Sequence, residues 1–201
     1  MRRTLLIKAF KKLAAVVLAG VMSLAVLTGC SDSDKTTFHT QLTDALADKK
    51  IAATYNGQEV LKATKAAENY VGFVTKAADI EAEHAKGVKG KYWDADKKEM
   101  KEDAYKKDMI ACYKDFIKAT ELNATVDDKG NVTSYEDIDM IKVQEDSKMV
   151  AAIIADLSDS DIVTFGYSNS AIQYKDKDNK TQSAIVLVME HKTADTFNIF
   201  D

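Results

Sequence analysis

The sequence predicts an α+β fold, in which four mostly amphipathic helices are followed by a C-terminal two- or three-stranded antiparallel β-sheet packed on them. Up to about residue 157 apolar side chains recur at helical spacing, whereas from Ile162 onwards they alternate and are often β-branched or aromatic. The chain has no proline in 201 residues, so its helices lack the residue that most often kinks or ends them. We therefore expect long helices first and the sheet last.

The first two predicted helices cover residues 38–55 and 58–86. The earlier segment carries apolar residues near helical spacing, and Asn56-Gly57 is typical of a helix end. The later segment has the clearest apolar stripe of the chain, made of Leu61, Ala67, Tyr70, Val71, Val74, Ala77 and Ala78.

Two further helices are predicted in the middle of the chain. Asp94 has the side chain of a helix N-cap, which predicts a third helix over about 95–122. Thr133 and Glu136 have the spacing of a capping box, which predicts a fourth helix over about 134–157.

The C-terminal sheet is predicted from alternating segments at 162–167 and 171–174, a hairpin turn at 176–179 and a strand at 184–191. Residues 184–189 are nearly all apolar, as in a strand that is covered on both faces. A short last strand over 196–200 completes the prediction.

The N-terminus has the three zones of a secretory signal. Residues 1–12 contain five basic and no acidic side chains, and Leu13–Leu27 is an almost unbroken apolar run. That run is shorter than the roughly 20 residues needed to span a bilayer. The following Leu27-Thr28-Gly29-Cys30 resembles the lipobox of bacterial lipoproteins. We therefore divide the chain into a signal peptide (1–29), a lipidated Cys30 with a polar tether (30–37), and a single α+β domain (38–201).

The resemblance implies a specific processing of the precursor. Signal peptidase II would cut between Gly29 and Cys30, and the Cys30 sulfur would carry a diacylglyceryl group, with palmitate as a typical acyl chain. The mature protein would be anchored by this lipid to the extracytoplasmic side of the cell membrane or the outer membrane. Two acyl chains are enough for stable anchoring, because each buried CH₂ contributes about 0.8 kcal/mol.

Charge and cysteine usage narrow the classes of function. Removal of residues 1–29 takes away five of the 28 basic residues and none of the 32 acidic ones, which leaves a formal net charge of −9. An acidic chain of this kind lacks the basic face of a nucleic-acid-binding protein. With Cys30 acylated, Cys112 has no intramolecular disulfide partner, and we expect it to be a buried small hydrophobe rather than a reactive thiol.

Three segments have the residue types of a functional site. Glu81 and His84 have the Glu-x-x-His spacing of di-iron bundles, but the motif occurs once and such sites need two. Residues 125–136 resemble a calcium loop, yet place Lys129 where the ion needs an oxygen ligand. Tyr92-Trp93 would stack on a sugar or touch lipid headgroups if exposed, although such pairs more often pack under the next helix.

These observations predict no catalytic residue, no metal site and no cofactor, since neither His39 nor His191 has a nucleophile and an acid in recognisable order. The favoured function is a non-catalytic binding or interaction module whose partner is an envelope protein or polymer. A carrier of a small apolar ligand is the alternative, suggested by Met109, Tyr113 and Met149 between helices and sheet. An enzyme of unknown class is the least favoured interpretation.

Overall fold

The computed structural model describes residues 32–142, 150–151, 154–155, 162–169, 171–175 and 181–201. Three helices alternate with short and long strands along this part of the chain. In order, the elements are α1 (Asp32–Asp48), β1 (Ala52–Tyr55), α2 (Gly57–Ala85), a 3-10 turn (Gly87–Lys89), β2 (Trp93–Asp94), β3 (Glu99–Met100), α3 (Glu102–Thr120), β4 (Ala124–Val126), β5 (Asn131–Lys142), β6 (Ile162–Tyr167), β7 (Ile172–Lys175) and β8 (Thr181–Asn198). Residues 150–151 and 154–155 are also helical.

Six strands form one mixed sheet in the order β1-β6-β8-β5-β4, with β7 paired to β8 on the same side as β6. The β1–β6 pair is parallel and the other pairs are antiparallel. The long strand β8 is central, since it pairs with β5 along one edge and with β7 and then β6 along the other. The two short strands β2 and β3 form a separate hairpin.

The middle of β8 is buried on both faces of the sheet, as the sequence predicts. Successive side chains of a strand point to opposite faces. Ala184, Val186 and Val188 pack in one apolar cluster with α2 and α3, and the alternate residues Ile185, Leu187 and Met189 pack in a second cluster with α1 and with Val150. The described residues therefore form three layers, with α2 and α3 on one face of the sheet and α1 on the other.

The predicted fold class is wrong, because the described residues contain the three helices α1–α3, the short helical pieces at 150–151 and 154–155 and a six-stranded mixed sheet, rather than four helices and a small antiparallel sheet. The main error lies at 131–142, which forms β5 instead of the start of a fourth helix. The spacing of Thr133 and Glu136 does not reflect a capping box. Instead, Glu136 points into the protein, and the backbone N–H of Glu136 donates to Ser134 Oγ in a local irregularity of the strand.

Two smaller corrections concern helix boundaries. The predicted helix over 38–55 ends at Asp48, and residues 52–55 form β1, so Asn56 caps the start of α2 and does not end a helix. Asp94 lies in β2 and accepts hydrogen bonds from the N–H groups of Asp96 and Lys97 in the β2–β3 turn. The third helix consequently starts at Glu102 and not near residue 95.

Several elements agree with the prediction. Helix α2 covers residues 57–85 where 58–86 was expected, and β6 has the predicted bounds. The predicted strand at 184–191 lies within β8, whereas the one predicted at 196–200 overlaps only the last residues of the same strand, which ends at Asn198. Helix α1 starts at Asp32, so the segment 32–37, which we expected to be a polar tether, belongs to its first turns. The predicted turn at 176–179 lies outside the described residues.

Candidate functional site

A set of buried and half-buried ionisable side chains lies between the start of α2 and the sheet. We name Glu59, Lys62, Glu136 and Glu190 the charged cluster. Lys62 Nζ donates to Glu59 Oε1 at 3.2 Å and also to Glu136 Oε1. Glu59 and Glu136 are 2% and 1% exposed, so these ion pairs are largely shielded from water.

The positions of these side chains follow from the secondary structure. Glu59 and Lys62 are three residues apart near the start of α2 and therefore lie on one face of the helix. Glu136 and Glu190 stand opposite each other in the β5–β8 pair. Two neighbours complete the arrangement: the Asn123 N–H donates to Glu136 Oε2 at 2.7 Å, and the Thr164 hydroxyl donates to Glu190 Oε2 at 2.9 Å.

The charged cluster contains three carboxyl groups and one ammonium group, so its electrostatics favour uptake of a proton. Burial, reinforced by the negative charge of Glu136, raises the pKa of Glu59, although Lys62 opposes the rise. Burial acts to lower the pKa of Lys62, but its hydrogen bond to Glu136 and the nearby charges outweigh burial and raise it. Glu59 Oε2 is buried without a hydrogen-bond partner among the described residues. The cluster therefore holds α2 on β5. Within it, Glu59 binds a proton more tightly than an ordinary glutamate does.

We expect this proton to make stability depend on pH. Because folded Glu59 has a pKa above its ordinary value of 4.5, the folded chain keeps the proton where the unfolded chain has lost it. The free energy of unfolding should therefore fall as the pH rises from 4.5 through the raised pKa, by about 1.4 kcal/mol for each unit of the rise. Chemical denaturation at several pH values should show this fall in the unmodified protein and a smaller one in Glu59→Gln.

The matched control for this measurement is Glu68→Gln, because Glu68 is exposed on the same helix. Its pH profile should match that of the unmodified protein. Asp94 and Asp127, whose pKa values are lowered by hydrogen bonds, affect stability in a different pH range. They stabilise the folded chain above pH 3.8, and this stabilisation is lost as the pH falls below that value. An unchanged pH profile in Glu59→Gln would contradict the assignment of the proton.

A second ionisable pair lies at the adjacent positions of the same two strands, and strand alternation directs it to the opposite face. His191 Nε2 of β8 is 2.8 Å from Asp137 Oδ2 of β5, and the Asp137 side chain is almost completely buried. This is the acid partner that sequence reasoning did not find for His191. The pair bridges β5 and β8 beyond their backbone hydrogen bonds.

The Glu-x-x-His segment lies at the C-terminal end of α2, and its two side chains contact α3. Glu81 accepts a hydrogen bond from the Tyr105 hydroxyl at 2.7 Å. The His84 ring stacks on Tyr105 with a centroid distance of 4.0 Å, and its Nε2 is 3.1 Å from Glu102 Oε1. Both side chains thus join α2 to α3.

The segment at 125–136 forms a tight hairpin between β4 and β5. Asp127 Oδ1 accepts the N–H groups of Lys129 and Asn131, and Gly130 has a positive φ of 82°. Thr125 lies in β4 and Glu136 in the charged cluster. The residues that resemble calcium ligands are therefore separated by the geometry of the hairpin.

Tyr92 and Trp93 lie beside the C-terminal end of α2. Tyr92 is buried and its hydroxyl donates to Asp108 Oδ2 of α3 at 2.8 Å. Trp93 is half-buried in β2. The interpretation that this pair packs against the following helix is confirmed for Tyr92.

Cys112 is buried in α3, where its thiol donates to the carbonyl of Phe73. The expectation that it is a small buried hydrophobe is confirmed by its position in the apolar cluster of α2 and α3. Burial raises the pKa of the thiol from 9.0 to about 11. Since the thiolate is the reactive form, Cys112 should be inert.

We expect Cys112 of the folded protein to be alkylated at least about 100-fold more slowly at neutral pH than in the unfolded chain, because the raised pKa alone lowers the thiolate fraction by about this factor. Iodoacetamide labelling can be measured by mass spectrometry of the peptide that contains Cys112. The same protein in guanidinium chloride is the control. Equal rates in the two states would show that the thiol is accessible.

Of the residues suggested for an apolar ligand, Met109 and Tyr113 are buried in the packed cluster between α2 and α3, and the Tyr113 ring lies edge-on to Phe73. Met149 lies outside the described residues, as do Gly29 and Cys30. Within the described residues, no three His, Cys, Asp or Glu side chains are grouped as metal ligands. The helices of this part of the chain include none that is long and apolar enough to cross a membrane.

Searches for known relatives return nothing: the chain matches no family model, no curated protein and no solved structure.

Proposed function

We propose that this chain is the precursor of a lipoprotein whose three-layer domain is a non-catalytic binding or interaction module on the extracytoplasmic side of the cell membrane or outer membrane. The observation that carries the proposal is the sequence of residues 1–30: a basic start, an apolar run and Leu27-Thr28-Gly29-Cys30. Cys30 would hold the lipid and Gly29 would precede the cleaved bond.

The non-catalytic part of the proposal is supported by what the buried ionisable groups contact. The charged cluster connects α2 to β5, and the pair of Asp137 and His191 connects β5 to β8. Glu81 and His84 connect α2 to α3. In each case the side chains bond to other parts of the same domain, which is what structural ion pairs do. The surface of the domain would then bind the partner, which we propose to be an envelope protein or polymer.

Metabolic labelling with a palmitate analogue tests the lipid anchor. Cells that express the full chain should incorporate the label, and the Cys30→Ser variant should not, because the thioether cannot form without the sulfur. Cys112→Ser is the matched control and should keep the label, since this thiol is buried. Label that persists in Cys30→Ser would rule out acylation at this residue.

The proposed interaction can be tested by chemical crosslinking of intact cells followed by purification of the lipidated protein. We expect a specific envelope protein or polymer fragment to be recovered with the unmodified chain and to be absent from mock-purified membranes. Recovery of this chain alone would count against an interaction module.

A further inference from the structure

Four aromatic rings from three elements meet at the end of β1. We name His39, Tyr55, Phe165 and Tyr167 the aromatic patch. The Tyr55 ring is the common neighbour, with centroid distances of 5.3 Å to His39, 5.6 Å to Phe165 and 5.1 Å to Tyr167. The rings come from α1, β1 and β6, so the packing of the three elements fixes their arrangement.

The aromatic patch is only partly covered. Of its four rings, Phe165 is buried, whereas Tyr55 remains 44% exposed. A tyrosine that is apolar in its ring and polar at its hydroxyl is well suited to the boundary between an apolar phase and water, and tyrosine is enriched at membrane interfaces for this reason. The exposed ring is therefore chemically matched to the headgroup region of a bilayer.

Chain connectivity places the aromatic patch near the proposed anchor. Helix α1, which supplies His39, begins at Asp32, only two residues after Cys30. Two residues span at most about 7 Å, and the seven residues from Asp32 to His39 advance about 10 Å along a helix. A lipid on Cys30 would hold His39 within about 17 Å of the bilayer surface.

Helix α2 leads away from the aromatic patch. It starts two residues after Tyr55 and is 29 residues long, which corresponds to about 43 Å. Val88, which is 63% exposed, follows its far end, and the Trp93 N–H donates to the Gly90 carbonyl there at 3.2 Å. The only tryptophan of the chain thus lies beside the end of α2 that is distant from Tyr55.

We propose that the aromatic patch rests on the headgroup region of the membrane that holds the lipid anchor, and that α2 directs the Trp93 end away from it. This inference rests on the proposed function, because the anchor supplies the proximity. The contact is aromatic rather than electrostatic, since a mature chain with a net charge of −9 is repelled by anionic lipids. The partner of this surface is a phospholipid bilayer.

Tryptophan fluorescence tests the orientation. The acylated protein is reconstituted into phosphatidylcholine vesicles in which part of the lipid carries a nitroxide on its headgroup, a quencher that acts at short range. In the unmodified protein Trp93 should be unaffected by the nitroxide. In Tyr55→Trp combined with Trp93→Phe, the emission should fall progressively as the share of nitroxide lipid is raised, because an interfacial aromatic ring lies at headgroup depth.

The measurement requires a folded tryptophan reporter and a verified acyl group on Cys30. If Trp93→Phe does not fold, Tyr55→Trp alone gives the same result by difference from the unmodified protein. Quenching at position 55 that is no stronger than at Trp93, in protein whose acyl mass has been verified, overturns the inference and leaves the proposed function intact. Absence of acyl mass on Cys30 overturns the proposed function and this inference with it.

Discussion

Replacement of Lys62 by methionine should lower the free energy of unfolding by about 3 kcal/mol, because it leaves the carboxylates of a buried ion pair without their cation. Lys62 is 18% exposed and bonds to both Glu59 and Glu136, which are almost completely buried. Methionine keeps most of the length and apolar volume of the lysine stem. The loss should therefore report the charge and not a cavity, and urea denaturation at neutral pH would measure it.

Lys65→Met is the matched control for this prediction. Lys65 lies one turn further along α2 and pairs with Glu121, which is 63% exposed, and exposed pairs contribute about 0–1 kcal/mol. Addition of Glu136→Gln to Lys62→Met should restore part of the lost stability, because glutamine removes the unpaired charge and still accepts the Asn123 N–H. Equal losses in Lys62→Met and Lys65→Met would show that the charged cluster does not hold α2 on the sheet.

Gly166→Ala should have the other large effect, a loss of about 3 kcal/mol or more, because the added methyl group overlaps with backbone atoms. A Cβ at Gly166 of β6 would lie 2.2 Å from the Val60 nitrogen and 2.5 Å from the Glu59 carbonyl carbon. No side-chain rotation relieves such contacts, so the start of α2 must move away from the sheet and take Glu59 with it. Thermal unfolding would measure the change.

Gly72→Ala provides a control with the opposite sign. Gly72 is exposed in the middle of α2, and no atom lies within 4 Å of its added Cβ. Alanine should stabilise the helix there by about 0.5–1 kcal/mol, because glycine loses more backbone entropy on folding. If Gly166→Ala were as stable as Gly72→Ala, α2 would not be seated on β6 as described.

The elements that can be predicted well from the sequence are those whose own apolar residues form a clear pattern. Helix α2 has a long apolar stripe, and residues 184–189 of β8 are apolar at every position, which predicts cover on both faces. In both cases the buried residues are hydrophobic, so burial and hydrophobicity coincide. The local pattern is then sufficient to identify the element.

Strand β5 was missed because burial and hydrophobicity do not coincide there. Its inward positions include Ser134 and Glu136 between Val132 and Ile138, so the alternation of a half-buried strand is interrupted by polar residues. Acidic residues are also depleted in strands. What makes Glu136 acceptable inside is Lys62, which is 74 residues earlier in the chain, and no local pattern contains this information.

The remaining errors have the same non-local origin. Strand β1 is four residues long and gains its partner only when Ala52 and Tyr55 pair with Ile162 and Phe165 of β6. The contact of His191 with Asp137 likewise requires the register of β5 and β8. The secondary structure of each segment can be predicted separately from the sequence. The charged cluster and the pair of Asp137 and His191, however, form only when the strands of the sheet have come together.

The lipid anchor on Cys30 is best tested by the mass of the mature protein extracted from its native membrane. We expect a chain that begins at Cys30 and whose N-terminal peptide carries the added mass of a diacylglyceryl group. An intact leader, or a mature N-terminus at another residue without acyl mass, would contradict the lipoprotein assignment and with it the membrane-facing orientation of Tyr55.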